Sequence, residues 1–511
     1  MEYQNRPYFK VGRASELSGT DRILYRSFEI LPGFLSWGTL ILVFASSFFF
    51  PVFAAYFIIA FDLFWLLKTI YLSAHLRYNW RRMKHNMQVD WKSMLNNFKY
   101  EDIYHMVIYP YSTESYGTLA QSIESLISAR VDRERMIVVL AGEDRIGQSS
   151  RKIAAEIENK YAKEFKYFIV TMHPSGVPGE MIGKGSNATY AAEEARVKIL
   201  DPNNISYKNV IVSAFDSDTS VYPDYFLCVV WYFLTAEKPH KTSFQPVPLY
   251  NNNIWDAPAI SRVAAVCGTF WQMVQQERPD KLATFSSHSL SFQALYEIGY
   301  WQVNMVSDDS RIYWNLFLAN DGDYTVTPIS YPISLDANLA TTYWQTIKNV
   351  YKQNRRWAYG AENIPYILFG FVKNKKISLW RKIKVATIQI DGFWSLATNP
   401  LIIFFLGWLP LWLGGSSFNR TVLSHNLPVV TRDLMTFAMA GLILSAIISM
   451  SFLPPRPLRY QKTRTVWMVL QWLLVPFTIV FFGAIPGLES QTRLMFKKYM
   501  GFWVTPKHRK S

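Results

Sequence analysis

The chain has 511 residues, half of them hydrophobic and 16% aromatic, with a formal net charge of +15. That length exceeds one ordinary core, so two or more units are expected. Only Cys228 and Cys267 are present, with no CxxC, which argues against a disulfide framework or a cysteine-ligated metal.

A basic chain this apolar reads as a membrane protein with basic cytoplasmic flanks. Nucleic-acid binding is disfavoured because the basic residues cluster beside apolar runs and in the tail rather than in one stripe. The amino-terminal residues mix Arg6, Lys10, Arg13, Arg22 and Arg26 with acidic side chains, unlike a cleavable signal peptide.

Ile30 to Phe50 is an uncharged apolar run, and about 20 residues suffice to cross a bilayer. Pro51 punctuates it and a second run continues from Val52 to Ala74, so the pair forms a hairpin with both ends on one side. Asp62 lies within the second run, where an ionisable group is expected to face a bundle interior. Arg77, Arg81, Arg82 and Lys84 follow, with Trp80 among them, which marks this side as cytoplasmic and puts Trp80 at the headgroup level.

From about Lys99 the pattern becomes that of an α/β domain. Met106–Tyr109, Met136–Leu140, Tyr167–Thr171 and Val210–Phe215 are strand candidates. Leu119, Ile123, Leu126 and Ile127 mark one intervening helix, and Ile153, Ile157 and Tyr161 another. Such alternation predicts a parallel, doubly wound sheet.

The run Val210-Ile-Val-Ser-Ala-Phe ends in Asp216-Ser217-Asp218, at the edge where open α/β sheets bind ligands. Two carboxylates at this spacing suit one divalent cation, which in turn holds a diphosphate. An acidic turn after a strand is the plainer alternative. The Gly-rich loop His173–Asn187 carries Lys184 but lacks the P-loop spacing, so an ATPase is disfavoured. Downstream come Ser307-Asp308-Asp309, equally readable as a helix N-cap, and Gln353-Asn-Arg-Arg356-Trp357, equally readable as an interfacial anchor.

After Trp357, Lys373, Lys375, Lys376, Arg381, Lys382 and Lys384 alternate with apolar residues, as in a helix lying in the interface. Phe393–Leu413 and Leu434–Leu453 then read as spans, and Val466–Ile485 is a third run interrupted by Pro476. Three full crossings would put the basic tail outside. A tail facing the α/β domain requires that the third run be re-entrant, or that another crossing exist. The tail is expected to be cytoplasmic.

Taken in order, these motifs resemble those of the membrane-embedded family 2 glycosyltransferases, which include cellulose and hyaluronan synthases. The match lies in Glu143 or Asp144 after the second strand, Gly183-Lys184-Gly-Ser-Asn187, Asp216-Ser-Asp218, Asp308-Asp309 and Gln353-Asn-Arg-Arg356-Trp357. It covers roughly residues 104–357. Phe502-Trp-Val504-Thr505-Pro-Lys507 also resembles the FxVTxK gating segment of bacterial cellulose synthases. Two motifs depart from the pattern: the second strand ends Ala-Gly-Glu-Asp rather than Asp-Asp-Gly, and the base motif reads Ser-Asp-Asp in place of Thr-Glu-Asp.

The resemblance implies a GT-A (Rossmann-like) cytoplasmic α/β domain inserted between N- and C-terminal transmembrane helices. The expected division is an N-terminal segment at 1–29, a transmembrane hairpin at 30–74 and a basic linker at 75–98. The GT-A domain then covers 99–360, an interfacial amphipathic helix region 361–392, transmembrane segments 393–488 and a basic gating-like tail 489–511.

It implies an inverting transferase of the plasma membrane that moves a sugar from a nucleotide-diphosphate donor to a growing β-linked glycan. The alternative is transfer of a single sugar to a lipid carrier or glycolipid. Asp218, helped by Asp216, would hold Mg²⁺ or Mn²⁺, and Asp309 beside Asp308 would be the general base. Donor or acceptor contacts are expected from Glu143, Asp144, Lys184, Asn187, Asp216, Gln353, Arg356 and Trp357, with Phe502, Val504, Thr505 and Lys507 covering the site.

Overall fold

The structure is a computed structural model that describes residues 6–506. Helices of eight residues or more are numbered in chain order. One sheet of eight strands forms the centre, in the order β3-β2-β1-β4-β7-β6-β8-β5. The strands are β1 Tyr104–Pro110, β2 Met136–Glu143, β3 Tyr167–His173, β4 Val210–Ala214, β5 Ser220–Val221, β6 Thr242–Leu249, β7 His288–Ser291 and β8 Thr325–Ser334.

The first four strands are parallel. β1 pairs β4 from Tyr104↔Val210 to Ile108↔Ala214, and β2 from His105↔Met136 to Pro110↔Ala141. The carboxyl ends of β1, β2 and β4 therefore meet along one edge. β2 and β4 are buried at every position, as strands covered on both faces must be.

One face is covered by α3 Tyr116–Ile127, α4 Gln148–Tyr161 and α6 Tyr225–Thr235, whose Leu119, Ile157 and Phe226 join Val138 and Ile211 in one core. On the other face α5 Lys184–Ala195, α8 Asp308–Ala319 and α10 Asn363–Lys373 bring Ala191, Ile312 and Tyr366 against Met106 and Val212.

The second half of the sheet departs from the parallel expectation. β7 runs antiparallel to both β4 and β6, while β6 and β8 are parallel with a bulge between Gln245 and Val247. The antiparallel β7 reverses the chain at the middle of the sheet, so the sheet is mixed.

Among the described residues four helices are long and apolar enough to cross a membrane: α1 Gly19–Phe49, α2 Pro51–Asn86, α12 Val422–Met450 and the broken helical stretch Thr463–Met495. The pair α11 Leu379–Phe404 and Leu406–Leu413, bent by 47°, qualifies as a fifth if taken together. Both α2 and α11 are longer than their apolar cores, because Lys and Arg favour helix and carry the coil past the apolar run. The basic region of 361–392 is thus divided between the buried α10 and the start of α11. Asp62 is buried, as expected of a membrane-depth carboxylate.

Contacts fix the directions. The end of α2 next to the α1–α2 turn, at Ala55 and Ile58, packs on Phe418 and Leu427, whereas Leu76 and Met83 pack near Ala446 and Ile448. α2 and α12 therefore run side by side in the same sense, and Trp80 donates to Ser451 Oγ at 2.8 Å. Gly414, past the end of α11, lies against Pro51 at the hairpin tip. α11 thus carries the chain from the α/β domain to that tip and α12 returns it.

The stretch Thr463–Met495 begins and ends at the α/β domain. Arg464 donates to the Trp255 carbonyl at 3.1 Å, Arg262 to Gln471 at 2.6 Å, and Arg355 to Glu489 at 2.7 Å. It is interrupted near Pro476 and by a wide turn at Val480–Ala484. Both ends of this stretch therefore lie against the α/β domain, which is the arrangement a re-entrant third run requires.

Candidate active site

The acidic turn after β4 is held from several sides. Phe215 N–H extends the β1 ladder to the Ile108 carbonyl at 3.0 Å, and Thr219 N–H closes a turn onto the Asp216 carbonyl at 2.9 Å. Asp218 is buried. Its Oδ2 accepts the Asp336 N–H at 2.8 Å, and its carbonyl accepts from Asn252 Nδ2 at 2.8 Å. Ser217, between the two aspartates, donates to Glu114 Oε1 at 2.9 Å.

Asp216 reaches the centre of the site. Lys184 Nζ, at the amino end of α5, stands 2.8 Å from Asp216 Oδ1 and 2.8 Å from Asp309 Oδ1. Burial alone would lower the Lys184 ammonium, but Asp216, Asp309 and Asp308 together raise it well above the ordinary lysine value. It is therefore a fixed positive charge. Ser286 Oγ donates to the other Asp216 oxygen.

Asp308 and Asp309 open α8, where a helix amino terminus favours negative charge. They differ in setting. Asp308 is buried, and burial followed by the Asp309 charge pushes its carboxyl up to about 7. Gly185 lets α5 approach this point: a Cβ there would stand 2.9 Å from the Gln302 carbonyl and 3.0 Å from Asp308 Cβ.

The turn before α8 is clamped by Glu362, whose Oε1 accepts the N–H groups of Val306 at 3.1 Å and Ser307 at 2.8 Å. The fully buried Arg311 ties α8 to Asn363 at 2.6 Å and to the Val11 carbonyl at 3.1 Å, with its guanidinium 4.0 Å from the Tyr366 ring centre. His288, at the start of β7, is buried among these charges, and burial lowers it to about 4, which keeps the ring neutral at physiological pH.

Gln353, Arg356 and Trp357 share α9 Tyr343–Ala358. The Trp357 ring lies 6.2 Å from Tyr250 and 6.0 Å from Phe285. Arg356 stands 4.9 Å from the Phe502 ring centre, and Phe502 also abuts Gly183. The tail therefore lies over the Lys184 loop, with Val504 half-buried and Thr505 buried. Lys507 lies outside the described residues.

The second-strand pair separates. Glu143 is buried and bonded to Arg145, whereas Asp144 pairs with Arg151 nearer the surface. Asn187 is buried and donates to the Ala141 carbonyl at 2.7 Å, which fastens α5 to the end of β2. Lys184, Asp216 and Asp309 are thus directly joined, Arg356 meets the tail, and Asp144 stands apart.

Sequence reasoning missed Glu114, Ser286, His288, Asp336 and Tyr250. Their signals were slight, since a Glu in a polar loop and a Ser-Ser-His-Ser run are ordinary compositions. Only their nearness to Asp216 and Asp218 marks them.

The donors near the turn suit a hard divalent cation, being carboxylate oxygens without sulfur. Among the described residues no three His, Cys, Asp or Glu side chains cluster in metal-binding geometry. An ion here would rest on the two carboxylates of Asp216 and Asp218 and draw its other ligands from substrate and water, which is the arrangement expected for a diphosphate-bridging cation.

Three comparisons bear on this site. No curated protein matches the chain. Among solved structures it resembles the mannosyltransferase PcManGT from Pyrobaculum calidifontis in complex with GDP-Man and Mn²⁺, with 12% identity and a TM-score of 0.41, covering 83% of this chain and 99% of that one. It also resembles S. aureus TarS 1–349, with 12% identity and a TM-score of 0.34, covering 70% and 94%.

The model of the glycosyl transferase family group 2 matches residues 211–485, which runs from within β4 through the acidic turn, α9, α11 and α12 into the stretch Thr463–Met495. With more than half of its length matched, the chain belongs to the glycosyl transferase family group 2, a family of nucleotide-sugar-dependent transferases.

Proposed function

We propose that this glycosyltransferase moves a sugar with inversion from a nucleotide diphosphate to a growing β-linked glycan. The observation that carries this reading is the Lys184 ammonium, 2.8 Å from both Asp216 and Asp309. One cation's width separates the carboxylate that faces the donor diphosphate from the carboxylate that faces the acceptor.

Asp218 and Asp216 would hold Mg²⁺ or Mn²⁺, which when bound supplies Lewis-acid stabilisation of the leaving diphosphate. Lys184 and Arg356 add positive charge there, the guanidinium as a bidentate fork. Asp309 takes the proton of the acceptor hydroxyl as that oxygen bonds to the anomeric carbon. The bond from this carbon to the diphosphate oxygen breaks, and the nucleoside diphosphate leaves. A single displacement inverts the centre without an enzyme-bound intermediate.

Trp357 offers an apolar face to the acceptor sugar, with Gln353 beside it. Glu143, buried at the β2 edge, is better placed than Asp144 to meet the nucleotide. Phe502, Val504 and Thr505 cover the donor. The basic flank at Arg77–Lys84 favours a catalytic face in the cytoplasm, at the plasma membrane. Transfer of one sugar to a lipid carrier is the second reading, favoured by the modest number of crossings.

The test uses purified protein in nanodiscs with a panel of nucleotide sugars and Mg²⁺ or Mn²⁺, measuring nucleoside diphosphate release and product length. Asp309→Asn is expected to lower turnover about 10²- to 10⁴-fold while retaining donor binding. Wild-type turnover in that variant would remove the base assignment, and transfer undiminished in excess EDTA would remove the metal. A product that never exceeds one added sugar would favour the lipid-carrier reading.

A further inference from the structure

Beside the reaction centre, a narrow cleft opens between α7 Ala259–Gln276, the loop after β8 and α9. Tyr250 and Trp357 form its aromatic walls, and Ser261, Asp336, Asn338 and Gln353 its polar ones. It joins the acidic turn directly, because the Asp336 N–H is the group that holds Asp218 Oδ2 at 2.8 Å.

Asn338 is the unexplained residue. Its side chain is buried, yet neither the amide oxygen nor the amide nitrogen has a hydrogen-bond partner among the described residues. Its position is nonetheless fixed, because Ser261 Oγ donates to its carbonyl at 2.5 Å. A buried amide without partners costs on the order of 1–3 kcal/mol per polar group, and such a group calls for a specific reason.

Building on the glycosyl-transfer reading above, we propose that this cleft is a sugar subsite in which the Asn338 amide both donates to and accepts from a hydroxyl-bearing edge of a pyranose packed on Trp357. Three observations select this ligand chemistry. The cleft is too narrow for a whole ring but admits a hydroxyl or hydroxymethyl arm, which needs about the room of one water molecule. Its aromatic walls suit the C–H face of a sugar.

Its lining carries one carboxylate and no cation, so a phosphate headgroup finds repulsion where it needs an ammonium or guanidinium. Arg262, on the same helix as Ser261, is turned to Gln471 and the Ala257 carbonyl. Arg355 is turned to Glu489. The subsite therefore favours a glycan over a polyprenyl phosphate as the group held beside Trp357.

The sugar belongs either to the donor or to the acceptor, and the test separates the two. Full-length protein in nanodiscs carries Asn338→Leu, close in volume and without polar atoms, or Asn338→Ser as a milder second variant. Binding of UDP and GDP is measured first, as a control for the nucleotide site.

With the nucleotide sugar that the wild type turns over, the half-saturating concentration is then measured for the donor and for the free oligosaccharide that stimulates release. Loss of the paired hydrogen bonds is expected to raise one of these about tenfold, with a smaller rise for Asn338→Ser. A rise for the donor assigns its sugar ring, and a rise for the oligosaccharide assigns the acceptor. In the free enzyme, Asn338→Leu is expected to leave Tm unchanged or raise it, because a partnerless buried amide has been removed.

The proposal is overturned if both concentrations change less than twofold, which would leave the cleft as a water site. It is overturned equally if citronellyl phosphate, and no sugar, protects the cleft by binding that Asn338→Leu abolishes. A wild type that binds neither nucleotide nor nucleotide sugar would instead sink the glycosyl-transfer reading itself.

Discussion

At the residue scale, Lys184 is the side chain on which the others depend. It separates Asp216 from Asp309 and offsets the buried Asp308, so its removal leaves three carboxyl groups facing one another without a cation. Breaking a buried ion pair by deleting one partner costs about 3–5 kcal/mol, most of it from the charge left behind. Lys184→Met is therefore expected to lower both Tm and donor affinity, the latter by at least about tenfold in a calorimetric titration.

Two groups beside it predict opposite pH dependences. His288 is lowered to about 4 by burial, so between its ordinary 6.5 and 4 the unfolded chain takes up a proton that the native chain refuses. Stability from His288 is present above 6.5 and is lost as pH falls towards 4, by on the order of 3 kcal/mol at about 1.4 kcal/mol per unit.

Asp308 is raised to about 7, so its native form holds a proton that the unfolded chain releases above about 4. Its burial is penalised increasingly as pH rises from about 4 to about 7, and by a constant amount above that. In paired thermal scans His288→Gln should gain on the wild type as pH falls from 7 to 5. Asp308→Asn should gain as pH rises from about 5 to about 7 and level off above that.

At the scale of elements, α9 is braced from behind. Glu489 of α14 Ile485–Met495 accepts from Tyr351, Arg355 and Arg493, each at 2.7 Å, and Ser490 donates to the Arg355 carbonyl at 2.7 Å. These bonds lie on the side of α9 away from Arg356 and Trp357, so they set the helix without touching substrate. Glu489→Ala is expected to lower kcat about threefold to thirtyfold while donor half-saturation stays within about twofold. The exposure of the pair limits each bond to about 1 kcal/mol. Glu489→Gln, which keeps the Tyr351 and Arg355 partners, should recover part of that loss.

Elements were legible in proportion to their hydrophobic pattern. β1, β2, β3 and β4 announce themselves as apolar runs. β6 and β8 hide because Pro246, Pro248, Pro328 and Pro332 argue against a central strand, and the bulge at Gln245/Val247 is how the sheet admits them. β7, His-Ser-Leu-Ser, has no apolar run at all and is buried only by its neighbours.

The motif residues Asp216, Asp218, Asp309 and Arg356 were readable because their spacing follows a family pattern. Glu114, Glu362 and Arg311 were not, since each acts through a partner more than fifty residues away or on another strand edge.

At the scale of the whole molecule, hydropathy located the membrane segments but not their paths. The stretch Thr463–Met495 is as apolar as any span, yet 44% of its most apolar window is buried inside the protein. Its hydrophobicity serves Phe270, Met273 and α9 as well as lipid; Trp472 stacks on Phe270 at 5.4 Å. The contacts of Thr463–Met495 at both ends favour four crossings, by α1, α2, the bent α11 and α12, as an expectation with the tail on the side of the α/β sheet.

Cysteines introduced at the exposed Pro506 and at Phe50 in the hairpin tip are expected to label from opposite faces, and Pro506→Cys from the same face as a cysteine at Lys99. Labelling of Pro506→Cys from the Phe50 side would require the last stretch to cross.

The brace on α9 has a consequence for the order of biogenesis. The catalytic domain leaves the ribosome before α11, α12 and the re-entrant stretch, so a nascent chain already owns Asp218, Lys184, Asp309 and Trp357. It does not yet own Glu489 or Phe502, which follow α12 in the chain. The helix bearing Arg356 therefore stays unsupported until membrane insertion is complete. A chain stalled partway holds a finished sheet without the brace on α9, so the onset of sugar transfer is expected to wait for the segments that follow α12.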